Sequence, residues 1–132
     1  MDVVYRDTMR LLMSAFYLVA GSLHLIMPDG FVLIVPHFLP WPETTIFITG
    51  ILEIAGAMGL LIKRFRYAAG IGLAAYAICV FPANINHALS GIQVGGLPTG
   101  WWYHGPRFLL QSILVWWALY CAEVTDWPQR SK

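Results

Sequence analysis

The chain has 132 residues, 58% of them apolar and 11% charged, with a mean hydropathy of +0.65. Soluble domains carry about a quarter charged residues, so this composition excludes an ordinary soluble domain and points to an integral membrane protein. A net charge of +1 gives no basis for nucleic-acid binding, and no low-complexity or polar linker divides the chain.

The start, Met1 to Arg10, is short and polar. The first apolar span then covers about 8–27. Arginines followed by Val19-Ala20-Gly21-Ser22 imitate a secretory signal, but the apolar run continues past that point to Met27. On a helix, Tyr17, Ala20, Gly21 and His24 share one face. The connection from Pro28 to Pro42 holds prolines at 28, 36, 40 and 42, which forbid a continuous helix. Its apolar stretch, Phe31 to Val35, is expected to lie in the interface or fold back over the bundle as a lid.

The second span, 44–62, is long enough to cross a bilayer and carries one carboxylate, Glu53, near its middle. Thr49, Gly50, Gly56 and Ala57 surround Glu53 on its helix face. Small residues allow close approach of a neighbouring helix, so Glu53 is expected to face the bundle. A carboxylate at that depth costs several kcal/mol unless paired or protonated, and marks a functional site by default. A tight basic turn, Lys63-Arg64-Phe65-Arg66, precedes the third span at 67–87. There Pro82 is expected to kink the helix and free a carbonyl, and Asn84 and His87 can face the same way. A polar loop ends in Trp101-Trp102-Tyr103, an interfacial aromatic belt. The fourth span, 106–122, opens with Arg107 and Gln111 one turn apart. Cys79 and Cys121 form no C-x-x-C pair and lie at different depths, so both read as buried thiols with no redox role. The fold class is therefore all-α, an integral membrane four-helix transmembrane bundle forming a single domain over 1–132.

Four spans put both termini and the 63–66 turn on one side. That side collects Arg6, Arg10, Lys63, Arg64, Arg66, Arg130 and Lys132, leaving only Arg107 opposite. The positive-inside rule then places both termini in the cytoplasm. All four histidines fall in the outer half, with Asn84, Asn86, Arg107 and Gln111, while the inner half is nearly featureless.

These groups suggest an outward-facing polar pocket. Arg107 is expected to reach inward and pair with Glu53, directly or through Gln111 or water, because each is expensive alone in lipid. Glu53, His24 and Arg107 are the candidate catalytic residues, and Asn84, Gln111, Tyr17 and His87 the candidate cofactor-binding ones. Three readings follow. In the first, a quinone or quinol binds, with His24 and Glu53 exchanging protons and Asn84 and Gln111 donating to the head group. In the second, His24, His87 and Glu53, with His37 or His104, hold a metal; no H-x-x-x-H spacing supports it, and no metal ligand is assigned. In the third, the polar groups only hold helices together. For His37 and His104, placed in loops, and for Trp116, Trp117 and Tyr120, a structural role is favoured. There is no nucleophile elbow, no phosphate-cradling glycine loop and no paired-histidine zinc helix.

The ordered set Ala20-Gly21-Ser22-Leu23-His24, Val35-Pro36-His37-Phe38-Leu39-Pro40, Thr49-Gly50-Ile51-Leu52-Glu53, Gly59-Leu60-Leu61 to Arg66, Val80-Phe81-Pro82-Ala83-Asn84-Ile85 and Arg107-Phe108-Leu109-Leu110-Gln111 covers nearly the whole chain. In this the chain resembles the DoxX family of small four-helix bacterial membrane proteins. The resemblance implies the bacterial plasma membrane, and a membrane subunit of a quinone-linked redox complex, since founding members are linked to a terminal quinol oxidase and to thiosulfate:quinone oxidoreductase. It also implies a redox partner subunit to supply the other half of an electron transfer. The alternative is a non-enzymatic membrane scaffold or small-molecule-binding protein. Four short spans expose enough surface for a homo-oligomer, without fixing a number.

Overall fold

A computed structural model describes residues 2–94 and 96–127. Helices take up 76% of the described residues, and no strand occurs among them, so the architecture is all-α. The elements are α1 (Asp2–Ile26), α2 (Pro28–Val32), α3 (Pro42–Leu61), α4 (Arg66–Cys79), α5 (Phe81–Ser90) and α6 (Trp101–Cys121).

Proline and glycine set most of the boundaries. α1 stops ahead of Pro28, since the residue before proline is biased away from the helical region. Pro28 and Pro42 then open α2 and α3, where a missing N–H costs nothing. Gly91, at φ 60°, closes α5 with a left-handed residue. The kink expected at Pro82 falls at a one-residue interruption: α4 ends at Cys79, Val80 keeps right-handed helical angles, and Pro82 sits in the first turn of α5. The side-chain amide of Gln111 donates to the Ala77 carbonyl at this interruption, so α6 supplies a partner that the interrupted helix lacks. α6 begins at Trp101, five residues ahead of the expected start, and Pro106 lies inside it, where it withholds an N–H from the preceding turn.

α1 packs most extensively on α3, and α4 on α6 and α3. The apolar core, including Met13, Tyr17, Ala57, Leu60, Leu73 and Ala118, fills the half of the bundle nearest the 63–66 turn. At that end Arg10, only 4% exposed, ties the helices together. Its Nε donates to the Cys121 carbonyl at 2.8 Å, and its Nη atoms reach Asp7 and, at 3.0 Å, Glu123. Glu123 also accepts from Arg66 at 3.1 Å, and Arg6 pairs with Asp126 at 2.8 Å. One carboxylate thus joins α1, α4 and the end of α6. Arg130 and Lys132, part of the expected charge asymmetry, lie outside the described residues.

Three helical stretches are long and apolar enough to cross a membrane: Val3–Ile26, Pro42–Leu61 and Arg66–Ser90, each less than a third buried within the fold. Their outer faces carry exposed Leu12, Val19, Phe47, Ile51 and Ile78. α6 has the length, but its Trp, Tyr, Arg and Gln residues dilute its apolar character. Cys79 is exposed rather than buried as expected, because it ends α4 on the face turned from the core; Cys121 is buried.

Candidate functional site

The crossing of α1 and α3 is built on two glycines. A Cβ added at Gly21 would lie 2.7 Å from the Gly50 carbonyl oxygen, and one at Gly50 would lie 3.0 Å from that of Gly21. The backbones therefore touch, and each glycine faces the polar residue of the other helix: a Cβ at Gly21 would lie 3.1 Å from that of Glu53, and one at Gly50 3.0 Å from that of His24. The Nδ1 atom of His24 lies 2.7 Å from Oε2 of Glu53 and 2.9 Å from the Ala20 carbonyl oxygen. A carbonyl only accepts, so Nδ1 carries the proton. Its N–H is directed at Ala20, and the contact with Glu53 is close but not aligned as a hydrogen bond. A small ring rotation transfers that proton's bond from Ala20 to the carboxylate.

Glu53 is 4% exposed. Its other oxygen accepts a 2.8 Å hydrogen bond from the hydroxyl of Tyr76 on α4. His24, Glu53 and Tyr76 thus form one chain of titratable groups across three helices. Tyr17, 2% exposed, packs edge-on against Tyr76 with ring centroids 6.2 Å apart. The Phe31 ring of α2 lies 4.1 Å from that of His24, so the expected lid covers the histidine end. Gly21→Leu is expected to separate α1 from α3 and to destabilise the fold by about 3 kcal/mol, through overpacking against backbone; thermal unfolding in detergent, beside Gly72→Leu at an open position, checks it.

The Tyr76 end opens on a groove of about 410 Å³ between α3 and α4, lined by Leu52, Gly56, Met58, Ala69, Gly72 and Leu73 among others. It is apolar apart from the Tyr76 side chain, and it runs toward Ile62 and Phe65 at the 63–66 turn. This groove lies toward the opposite end from the expected outward-facing pocket.

The remaining candidates assemble separately, between α5 and α6. Arg107 donates through Nη2 to Asn84 Oδ1 at 2.7 Å and through Nη1 to His87 Nδ1 at 2.9 Å. Asn84 donates to Gln111 Oε1 at 3.0 Å. Because a guanidinium only donates, His87 holds its proton on Nε2. The expected direct pair of Arg107 with Glu53 does not form: Arg107 bonds to Asn84 and His87 on α5, and Glu53 lies against His24 on α1 and Tyr76 on α4. Asn84 and Gln111 likewise bond to each other and to the helix break rather than turning to Glu53.

Two residues escaped sequence reading. Tyr76 sits mid-span at the depth of Glu53, and a buried tyrosine hydroxyl needs a partner; that depth match was the available signal. His104, expected in a loop, lies inside α6 and is 1% exposed, its ring centroid 4.9 Å from that of His87. His37 is exposed in the connection. Among the described residues no three His, Cys, Asp or Glu side chains converge as a metal site; His24 and Glu53 belong to one cluster and His87 to the other.

No curated protein and no solved structure matches this chain. A family model described as a domain of unknown function, DUF8561, matches residues 13–122, which contain every side chain of both clusters, and the chain belongs to that family.

Proposed function

We propose that this protein is a quinone-linked redox membrane subunit, similar to the DoxX family in arrangement: a four-helix bundle crossing the bacterial plasma membrane with both termini in the cytoplasm. One observation carries the reading. Tyr76 lines an apolar groove between α3 and α4, and its hydroxyl donates to the buried carboxylate of Glu53. A lateral groove of this size and lining suits a prenyl tail reached from lipid. A head group at its Tyr76 end meets a hydroxyl that accepts from a quinol O–H while donating to Glu53. Oxidation of a quinol releases two electrons and two protons. Tyr76, Glu53 and His24 provide the path for the protons, and the electrons leave to a redox partner subunit.

The test is saturable binding of short-chain ubiquinone and menaquinone to the detergent-purified protein, beside Tyr76→Phe and Glu53→Gln. Loss of the Tyr76 hydroxyl is expected to weaken binding about tenfold, the value of one hydrogen bond to a polar head group, in a protein that stays folded. Absence of saturable binding to folded wild-type protein removes the quinone reading and leaves a membrane scaffold or a binder of another small molecule.

A further inference from the structure

The α5–α6 cluster has more hydrogen-bond donors than acceptors, and a positive charge with no counterion. Arg107 carries five N–H groups and forms no ion pair among the described residues; its partners, Asn84 and His87, are neutral acceptors. The remaining acceptors are consumed within the cluster, Gln111 Oε1 by Asn84 and the Ala77 carbonyl by Gln111. His87 Nε2, which must bear a proton, is buried; the Ile92 backbone lies near it, but no hydrogen bond of good geometry forms. His104 is buried with both nitrogens unpartnered. Buried polar atoms in native structures are rarely left so, and each neutral ring keeps one N–H, so two donors in adjacent rings beside a guanidinium ask for an acceptor.

We propose that Arg107, His87 and His104 form a binding site for an oxyanion of the phosphate type, independent of the quinone reading. Arg107 supplies charge and free N–H groups from a half-buried position. The histidines supply single N–H donors, and the exposed Trp101 ring borders the second of them, with centroids 6.4 Å apart. Tyr103 holds the guanidinium on its other side, with its ring centroid 5.2 Å from Cζ of Arg107. The surrounding Trp101, Trp102 and Tyr103 are residues of the membrane interface, the depth at which a lipid phosphate or a free phosphate is met.

The experiment is calorimetric titration of maltoside-purified protein with inorganic phosphate and, separately, with dihexanoyl-phosphatidylglycerol, for wild type, Arg107→Gln and His104→Phe, with helix content checked by circular dichroism. Wild type is expected to bind at least one ligand saturably, and both variants to bind it at least tenfold more weakly. Binding of phosphate identifies a free oxyanion as sufficient; binding of the lipid alone identifies a headgroup. Absence of saturable binding of either ligand to folded wild type, or equal affinity in His104→Phe and wild type, overturns the site. His104→Phe keeps an aromatic ring in the same place, so a folded variant is available even where Arg107→Gln loosens α5.

Discussion

Arg10→Ala is expected to destabilise the protein by about 3 kcal/mol, the largest effect of any single change at the 63–66 end. Hydrogen bonds to charged groups contribute roughly 1.5–3 kcal/mol each when buried. Arg10 makes one to the buried end of α6, at the Cys121 carbonyl, and two to the carboxylates of Asp7 and Glu123. Those carboxylates are about half exposed, which discounts their share through solvent screening and keeps the total well below the sum of three. Arg10→Lys is expected to recover only part of the loss, since an ammonium is a point charge and lacks the planar fork that serves three acceptors on two helices. Thermal unfolding in detergent measures the effect. The control is Arg64→Ala, whose side chain is exposed over Phe65 and whose loss is expected to stay within about 0.5 kcal/mol. Equal effects of the two substitutions would show that Arg10 is not the tie that its contacts describe.

At the buried pair the expected result is non-additive. His24→Leu leaves Oε2 of Glu53, already without an aligned hydrogen bond, facing an apolar side chain, and is expected to cost about 3 kcal/mol, the upper end for an unsatisfied buried polar group. Adding Glu53→Leu removes that group. The double variant His24→Leu/Glu53→Leu is therefore expected to be more stable than His24→Leu alone, because replacing both partners of a buried polar contact by apolar side chains costs little. Quinone affinity follows a different order and stays low in both. Stability that returns without binding assigns the pair to function, while additive costs within about 0.5 kcal/mol would show two independent packing residues instead.

How much of this was legible in the sequence depended on whether a signal was local. The four apolar stretches, the prolines that end them and the small-residue faces of Gly21 and Gly50 are short-range patterns, and each stands at its helix contact. The pairing of His24 with Glu53 was half legible: both were marked as intramembrane polar groups on glycine-bearing faces, but Glu53 was matched to Arg107 by the wish to neutralise charge. Hydrogen bonding turned out to be a local matter. Arg107 lies one turn from Tyr103 and opposite α5, and the break at Val80 turns Asn84 and His87 toward it, so long reach was unnecessary. Tyr76 was overlooked because its span is rich in Ala and Gly and has no charge to draw attention. His104 was misplaced because Pro106 and the glycines before it read as loop, whereas α6 had already begun. Arg10 was counted as a cytoplasmic charge, and nothing local showed that residues more than a hundred positions later would bury it.

Photolabelling with a short-chain azidoquinone, followed by peptide mapping, tests the central claim most directly. The expected label falls on the groove, at Leu52, Met58, Ala69 or Tyr76, is competed by unmodified quinone and is lost in Glu53→Gln. Saturable label between Asn84 and Gln111 instead, or label that unmodified quinone does not displace, would contradict a quinone site built on Tyr76, Glu53 and His24.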